Sequence, residues 1–343
     1  MSPKQGLYKE MKAWIRTYGV YLISVLVIFL WGMSYVWTKQ LLEIGIPVEF
    51  FLPIRIFLAG VLLLMYNLAV GHPVRIHCRK DFLLFLLLSL CEPLVYFFAE
   101  TYGLALTGSA TVTALIIAMN PVIALFFGVI FFKEKMSLVN IFGLLITLTG
   151  LVFVLMCHRD NATEDAIGHY YYLGIGVLLV AVLAEVSHAS LTKRLATGST
   201  ESLQPEESAR KGYDPSVIVM YQFLIGSIYM LPLLLTRGLH DFSFAVYFSW
   251  DVLYPLIALS FLCSCVAFSL WAISIKQLGV AKSGNFIAMT PIATAICAWL
   301  IDNEHLLASQ WIGIAVAMVG LILTQHAGGV NLHRLSLRRL FLR

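Results

Sequence analysis

Long apolar runs alternate with short polar breaks from one end of the chain to the other. Ten runs reach the length of about 20 residues that a bilayer crossing needs. They are Tyr18–Thr38, Val48–Val70, Phe82–Gly103, Thr107–Phe132, Leu138–Cys157, Tyr171–Thr192, Pro215–Thr236, Trp250–Ile275, Val280–Ile301 and Leu306–Gln325. In lipid every backbone N–H and C=O must find a partner inside the protein, so runs this long are predicted to be helices. The pattern predicts an all-α membrane protein of ten transmembrane helices.

Polar and helix-breaking residues recur along these runs in register. Asn120-Pro121 returns as Thr290-Pro291, Glu134 as Glu304, and Gly143 and Gly150 as Gly313 and Gly320, each pair 170 positions apart. Phe57-Leu-Ala-Gly60 in the second run returns as Phe223-Leu-Ile-Gly226 in the seventh, and the first and sixth runs both end in Thr-Lys. The chain therefore reads as two five-helix repeats, 18–157 and 171–325, with 1–17 as an N-terminal segment and 326–343 as a basic tail. An odd number of spans per repeat turns the second upside down relative to the first. Residues 158–170 are expected to join the halves on the outer side. Residues 195–214, rich in Ser, Glu and Gly, are expected to be a mobile cytoplasmic loop.

Composition narrows the class further. Hydrophobic residues make up 60% of the chain and charged residues 12%, against about a quarter charged in soluble domains. All but four of the 23 Lys and Arg fall in alternate loops beginning with the N-terminus, the four being Lys39, Arg55, Arg159 and Arg237. By the positive-inside rule both termini face the cytoplasm, in a plasma or inner membrane. The basic residues follow topology, which leaves no patch for nucleic acid. The six cysteines are scattered and are expected to be buried apolar fillers rather than ligands. No cofactor or metal is expected.

The five-plus-five layout, the proline inside the fourth and ninth runs, the Glu after each and the glycine-marked fifth and tenth runs resemble EamA-type transporters of the drug/metabolite transporter superfamily. The likeness covers roughly Tyr18–Gln325. It implies a secondary carrier that moves a small metabolite, often an amino acid or related compound outward, by alternating access. The second half departs locally, with Asp302-Asn303-Glu304-His305 where the first has Lys133-Glu134-Lys135.

Transporters built from inverted repeats bind substrate near the midplane, where helices are interrupted in both halves. Pro121 and Pro291 are expected to break their helices there and free carbonyls in the preceding turn, beside Asn120 and Thr290. Ionisable residues inside spans are the sharper signal, because a charge at the bilayer centre costs about 2.5–3.5 kcal/mol even on the permissive scale. Glu92, Tyr96 and Glu100 are spaced to share a helix face, and Glu185 and His188 are neighbours three apart. Aligning the Thr-Lys ends sets Trp31, Ser34 and Tyr35 opposite Glu185 and His188. Glu92 or Glu185 can bind a proton or a substrate amine, with Trp31, Tyr96 and Trp271 as an amphipathic wall. Arg55 is expected to be structural or gating, paired with Glu100 or Glu49, and Glu134 and Glu304 to anchor helix ends.

No metalloprotease, hydrolase or intramembrane aspartate constellation occurs, which argues against an enzyme. A channel or uniporter is the alternative to a carrier. The expected partners are a small-molecule substrate and the lipid bilayer, with a homodimer left open.

Overall fold

The computed structural model describes residues 3–120, 122–123, 138–159, 169–197, 212–239, 244–278, 283, 286–287, 289–303 and 306–326, and every regular element among them is helical. The reason is local. Runs of Leu, Val, Ile and Phe can satisfy their own backbone groups within one segment only as helix.

In chain order the helices are α1 (Pro3–Glu43), α2 (Val48–Val70), α3 (Arg79–Ser89), α4 (Tyr96–Thr107), α5 (Ala110–Ile117), α6 (Leu138–Arg159) and α7 (His169–Thr197). They continue with α8 (Pro215–Leu233), α9 (Phe244–Tyr247), α10 (Trp250–Ala258), α11 (Ala267–Leu278), α12 (Thr290–Asp302) and α13 (Ala308–His326). Short widened turns carry α3 into α4, over Leu90–Val95, and α10 into α11, over Leu259–Val266. Among the described residues six stretches are long and apolar enough to cross a membrane: Gly19–Glu43, Val48–Val70, Arg79–Thr107, Tyr170–Ala196, Pro215–Gly238 and Trp250–Leu278. Leu138–Val154, Thr290–Asp302 and Ala308–Leu323 are shorter apolar helices. These nine fall on nine of the ten expected runs. The expected fourth run, Thr107–Phe132, is described only in its first half. Pro121, Glu134 and Glu304 lie outside the described residues. Leu22, Met65, Leu83 and Ile228 are each more than half exposed on outward faces, a surface suited to lipid.

The chain divides into two compact units, 1–120 with 163–306 and 121–162 with 307–343. In the first, α1 packs on α11 and α12, α2 on α8, and α4 on α7. Lys39 Nζ at the end of α1 reaches Asp302 Oδ2 at the end of α12, 2.6 Å away. Asn303 then closes α12 in the left-handed conformation, φ 51°, which Asn tolerates better than most residues.

Where the expected mobile loop leaves α7 and meets α8, Tyr213 N donates to Leu195 O at 3.0 Å, and both residues are buried. Tyr213 also donates its hydroxyl to Asp81 Oδ2 at 2.9 Å and accepts from His77 N at 2.8 Å. Burial raises its phenol above the ordinary range, so it stays a neutral donor. Residues 198–211 lie outside the description. Among the cysteines, Cys263, Cys265 and Cys297 are buried as expected, whereas Cys78 and Cys91 are only half-buried.

The second unit is built on α6 against α13. The glycines make this approach possible. A Cβ at Gly150 would sit 2.7 Å from Ala317 Cα, and one at Gly313 would sit 2.6 Å from Val154 Cγ2. Small residues at such a crossing let the backbones touch, which is how helices associate where no water is left to expel. Gly150→Leu is therefore expected to destabilise the protein by about 1–3 kcal/mol. Thermal unfolding in detergent, with Val152→Leu on the exposed face of the same helix as the neutral control, checks this.

Candidate functional site

The third span is interrupted at its middle. Glu92 leaves the helical region, φ −144° and ψ 122°, and Pro93 after it has no N–H to give to a helix. Gly226 on α8 accommodates the kink, since a Cβ there would lie 2.6 Å from Pro93 Cδ. The break turns the Glu92 side chain toward α7, where its Oε2 accepts from His188 Nδ1 at 2.8 Å. His188 Nε2 lies 3.1 Å from Gln222 Oε1 and 3.2 Å from Thr192 Oγ1. The imidazole thus joins the third span to α8, with Nδ1 facing the Glu92 carboxylate and Nε2 facing Gln222 and Thr192. Glu92, His188, Gln222 and Thr192 are all buried.

A second carboxylate lies one helix further along. Tyr96 donates its hydroxyl to Glu100 Oε1 at 2.6 Å, and both are buried. Tyr35, carried in by α1, sits beside the two. The expected common face of Glu92, Tyr96 and Glu100 is thus split by the break. Tyr96 and Glu100 stay together, while Glu92 joins α7.

Glu185, one turn before His188 on α7, is the third carboxylate. Asn120 lies beside it, with Glu92 and Glu100 as charged neighbours. Its buried Oε2 meets no hydrogen-bond donor.

Arg55 departs from expectation. It is 2% exposed and pairs with neither Glu100 nor Glu49. Its Nε donates to Ser264 Oγ at 2.8 Å, and its guanidinium lies 4.8 Å from the centroid of Phe97. Glu49 is held instead by the Tyr102 hydroxyl at 2.6 Å, with Arg237 Nη1 at 3.9 Å. α2 packs against the turn that carries Ser264, which brings that hydroxyl within reach.

The aromatic side chains form a continuous band. Trp31 meets Trp271 edge-on at 5.2 Å and Phe268 at 5.3 Å. Phe268 reaches Phe97 at 5.9 Å, and Phe97 reaches Tyr96 at 5.3 Å. Trp31, Trp271 and Tyr96 therefore belong to one wall, joined by two phenylalanines that have no polar mark in the sequence. Ser34 is buried on α1 next to Tyr35.

Thr290 and Pro291 correct the expected mid-helix kink. α12 begins at Thr290 with Pro291 in its first turn and Met289 as the residue before it. A proline there loses no helical bond, because the first N–H groups of a helix have no partner anyway. The interruption thus precedes the proline. In the fourth run α5 ends at Ile117, and a turn at Ala118–Met119 precedes Asn120. The hydroxyls of Thr290 and Thr294 are buried without a partner, as are Trp31 Nε1 and Gln222 Nε2. Gln222, Thr192, Ser264, Phe97 and Phe268 were not among the expected site residues. Gln222 alone carried a usable signal, a lone amide inside an apolar span. Among the described residues no group of His, Cys, Asp and Glu is arranged to hold a metal ion.

Removing one partner of a buried ion pair leaves the other uncompensated, at a cost of about 3–5 kcal/mol. His188→Leu is expected to lose stability of that order, and adding Glu92→Gln is expected to recover part of it. Unfolding titrations of the two single variants and the double variant measure the coupling. Equal, additive losses would mean that the two side chains act independently.

Comparison with known proteins accords with this geometry. The model of the EamA-like transporter family matches residues 17–156 and again 207–325. Uncharacterized transporter YetK of Bacillus subtilis (strain 168) is 23% identical over 308 residues, 89% of this chain and 86% of that protein. An uncharacterized transporter of Archaeoglobus fulgidus is 29% identical over 112 residues, 33% of this chain and 38% of that one. A solved crystal structure shares the fold, with TM-score 0.61 at 16% identity over 93% of this chain and 99% of the other. With two segments matched by one family model and the charged cluster buried among apolar helices, the chain belongs to the EamA-like transporter family and is a multi-pass membrane transporter, not an enzyme.

Proposed function

We propose that this protein is a secondary active carrier that exports a small amino-acid-like or other amphipathic metabolite by alternating access, coupled to protons. The observation that carries the proposal is the set of three carboxylates, Glu92, Glu100 and Glu185, gathered with His188 and Arg55 where spanning helices are interrupted. Charges inside a membrane are costly and mark substrate or proton pathways. Helices broken near the middle, in the fourth and ninth spans alike, are where such carriers bind. The duplication supports two five-helix repeats of opposite orientation, 18–157 and 171–325. A pair such as Lys39–Asp302, joining the ends of α1 and α12, suits a latch that closes in one state and opens in the other. Lysine and arginine placement supports a plasma or inner membrane location with both termini in the cytoplasm.

Two measurements test this. Proteoliposomes loaded with panels of amino acids, amines and sugars are expected to show saturable counterflow of one class, faster with an imposed proton gradient. Glu185→Gln is expected to abolish the gradient dependence. Conductive flux without exchange would replace the carrier with a channel. Separately, fluorescent-protein and phosphatase fusions at each terminus are expected to report cytoplasmic ends. A phosphatase active at either end would overturn the topology.

A further inference from the structure

We propose that the first turn of α12 is a seat for one compact monoanion, a halide or a single carboxylate group, held by the leading N–H groups of the helix and by the hydroxyls of Thr290 and Thr294. The seat uses none of the residues of the carboxylate cluster, and it goes beyond the carrier reading without resting on it.

The two hydroxyls carry the inference. A threonine inside a helix can return its hydroxyl to the carbonyl four residues back, and this chain does so repeatedly. Thr107 donates to Gly103 O at 2.8 Å, Thr113 to Ser109 O at 2.9 Å, Thr147 to Gly143 O at 2.8 Å and Thr149 to Leu145 O at 2.8 Å. Thr290 and Thr294 do not. Their Oγ1 atoms are buried without a partner, on residues that are 4% and 0% exposed. A spacing of four sets them on one face of α12, and helical side chains lean toward the N-terminus of their own helix. Both hydroxyls are thus carried toward the start of α12. Leaving them unmatched costs stability that a ligand can restore.

The helix end sets the sign of the ligand. A hydroxyl serves anions and cations alike, but the first N–H groups of a helix have no intrahelical partner and carry the positive end of its dipole. α12 runs for 13 residues, and no side chain of the preceding residue, Met289, caps it. Ala293 N closes a helical bond to Met289 O at 3.1 Å. Ahead of it Pro291 fixes the turn and offers no N–H, so Thr290 and Ile292 supply the backbone donors. A dipole worth about half a unit charge suits a monoanion better than a dianion. Gly32 on α1 sets the size. A Cβ there would lie 2.9 Å from Thr294 N and 3.0 Å from Ala293 C, so the α1 backbone closes on this turn and the seat fits a single ion or carboxylate. A halide from solution and the carboxylate of a metabolite bring the same chemistry.

The test follows NMR line broadening of chloride by the purified full-length protein, with methanesulfonate as the bulky counter-anion. Broadening is expected to saturate, and bromide and acetate are expected to displace chloride. Combining Thr290→Val with Thr294→Val is expected to weaken binding at least about tenfold, since two hydrogen bonds to the ligand are lost. Thermal unfolding of that double variant in chloride-free buffer is expected to be unchanged or raised, because no protein partner is lost. Thr294→Ser, which keeps the hydroxyl, and Thr149→Val, whose hydroxyl has its own carbonyl, are expected to bind like the unaltered protein. Displacement of chloride by an amino acid, but not by the matching decarboxylated amine, would assign the seat to a metabolite carboxylate. Displacement by halides and acetate alone would assign it to an inorganic anion. Absence of saturable broadening, or broadening unchanged in the double variant, would overturn the inference. So would a double variant that unfolds earlier in chloride-free buffer, or sodium line broadening that depends on the same two threonines.

Discussion

Taking the Glu92–His188 pair out of water is tolerable only because each member finds the other and His188 finds two more partners. Much of the site's geometry follows from that need. A straight third span would leave Glu92 in line with Tyr96 and Glu100, three polar groups on one face with no cation among them. The interruption at Glu92-Pro93 redirects one carboxylate to α7, and Gly226 on α8 leaves the room that the proline ring requires. One local departure from helix thus ties three spans together through a 2.8 Å contact. Breaks inside spanning helices leave backbone groups that only neighbouring protein can satisfy, so they are kept where packing surrounds them.

The same economy runs through the rest of the cluster. Each charged or polar group that has a structural task is satisfied within the protein, Glu100 by Tyr96, Arg55 by Ser264 and Phe97, and His188 by Glu92 and Gln222. Buried atoms that remain unmatched, among them Glu185 Oε2, Gln222 Nε2, Trp31 Nε1 and the Thr290 and Thr294 hydroxyls, come from several helices of one unit. A buried unmatched polar atom is a standing cost. The aromatic band beside them supplies apolar area without further polar demands.

The break of the ninth span shows how a proline acts in a membrane. Thr290 stands at the start of a helix rather than within a kinked one, just after Met289, and Asn120 likewise follows a turn, at Ala118–Met119. The helix ends so formed are polar features in an otherwise apolar layer, and they adjoin Glu185 through Asn120.

The sequence by itself determined the helical class, the family and the residues whose presence in a span demands an explanation. Those properties follow from run length, from spacing at 170 positions and from the cost of charge in lipid, all of which are local or periodic. Trp31, Tyr35, Glu92, Tyr96, Glu100, Glu185 and His188 were legible for that reason. Pairing was not. That Glu92 joins His188 and not the face of Glu100, that Arg55 takes Ser264 and not Glu49, and that Gln222, Phe97 and Phe268 complete the cluster depends on which helices pack together and where they bend. Contacts 34 to 209 residues apart in the chain, His188–Gln222 and Arg55–Ser264, are set by helix packing, which one-dimensional spacing does not encode. Tertiary structure alone decided which carboxylate meets the histidine and which carboxylate oxygen is left without a donor.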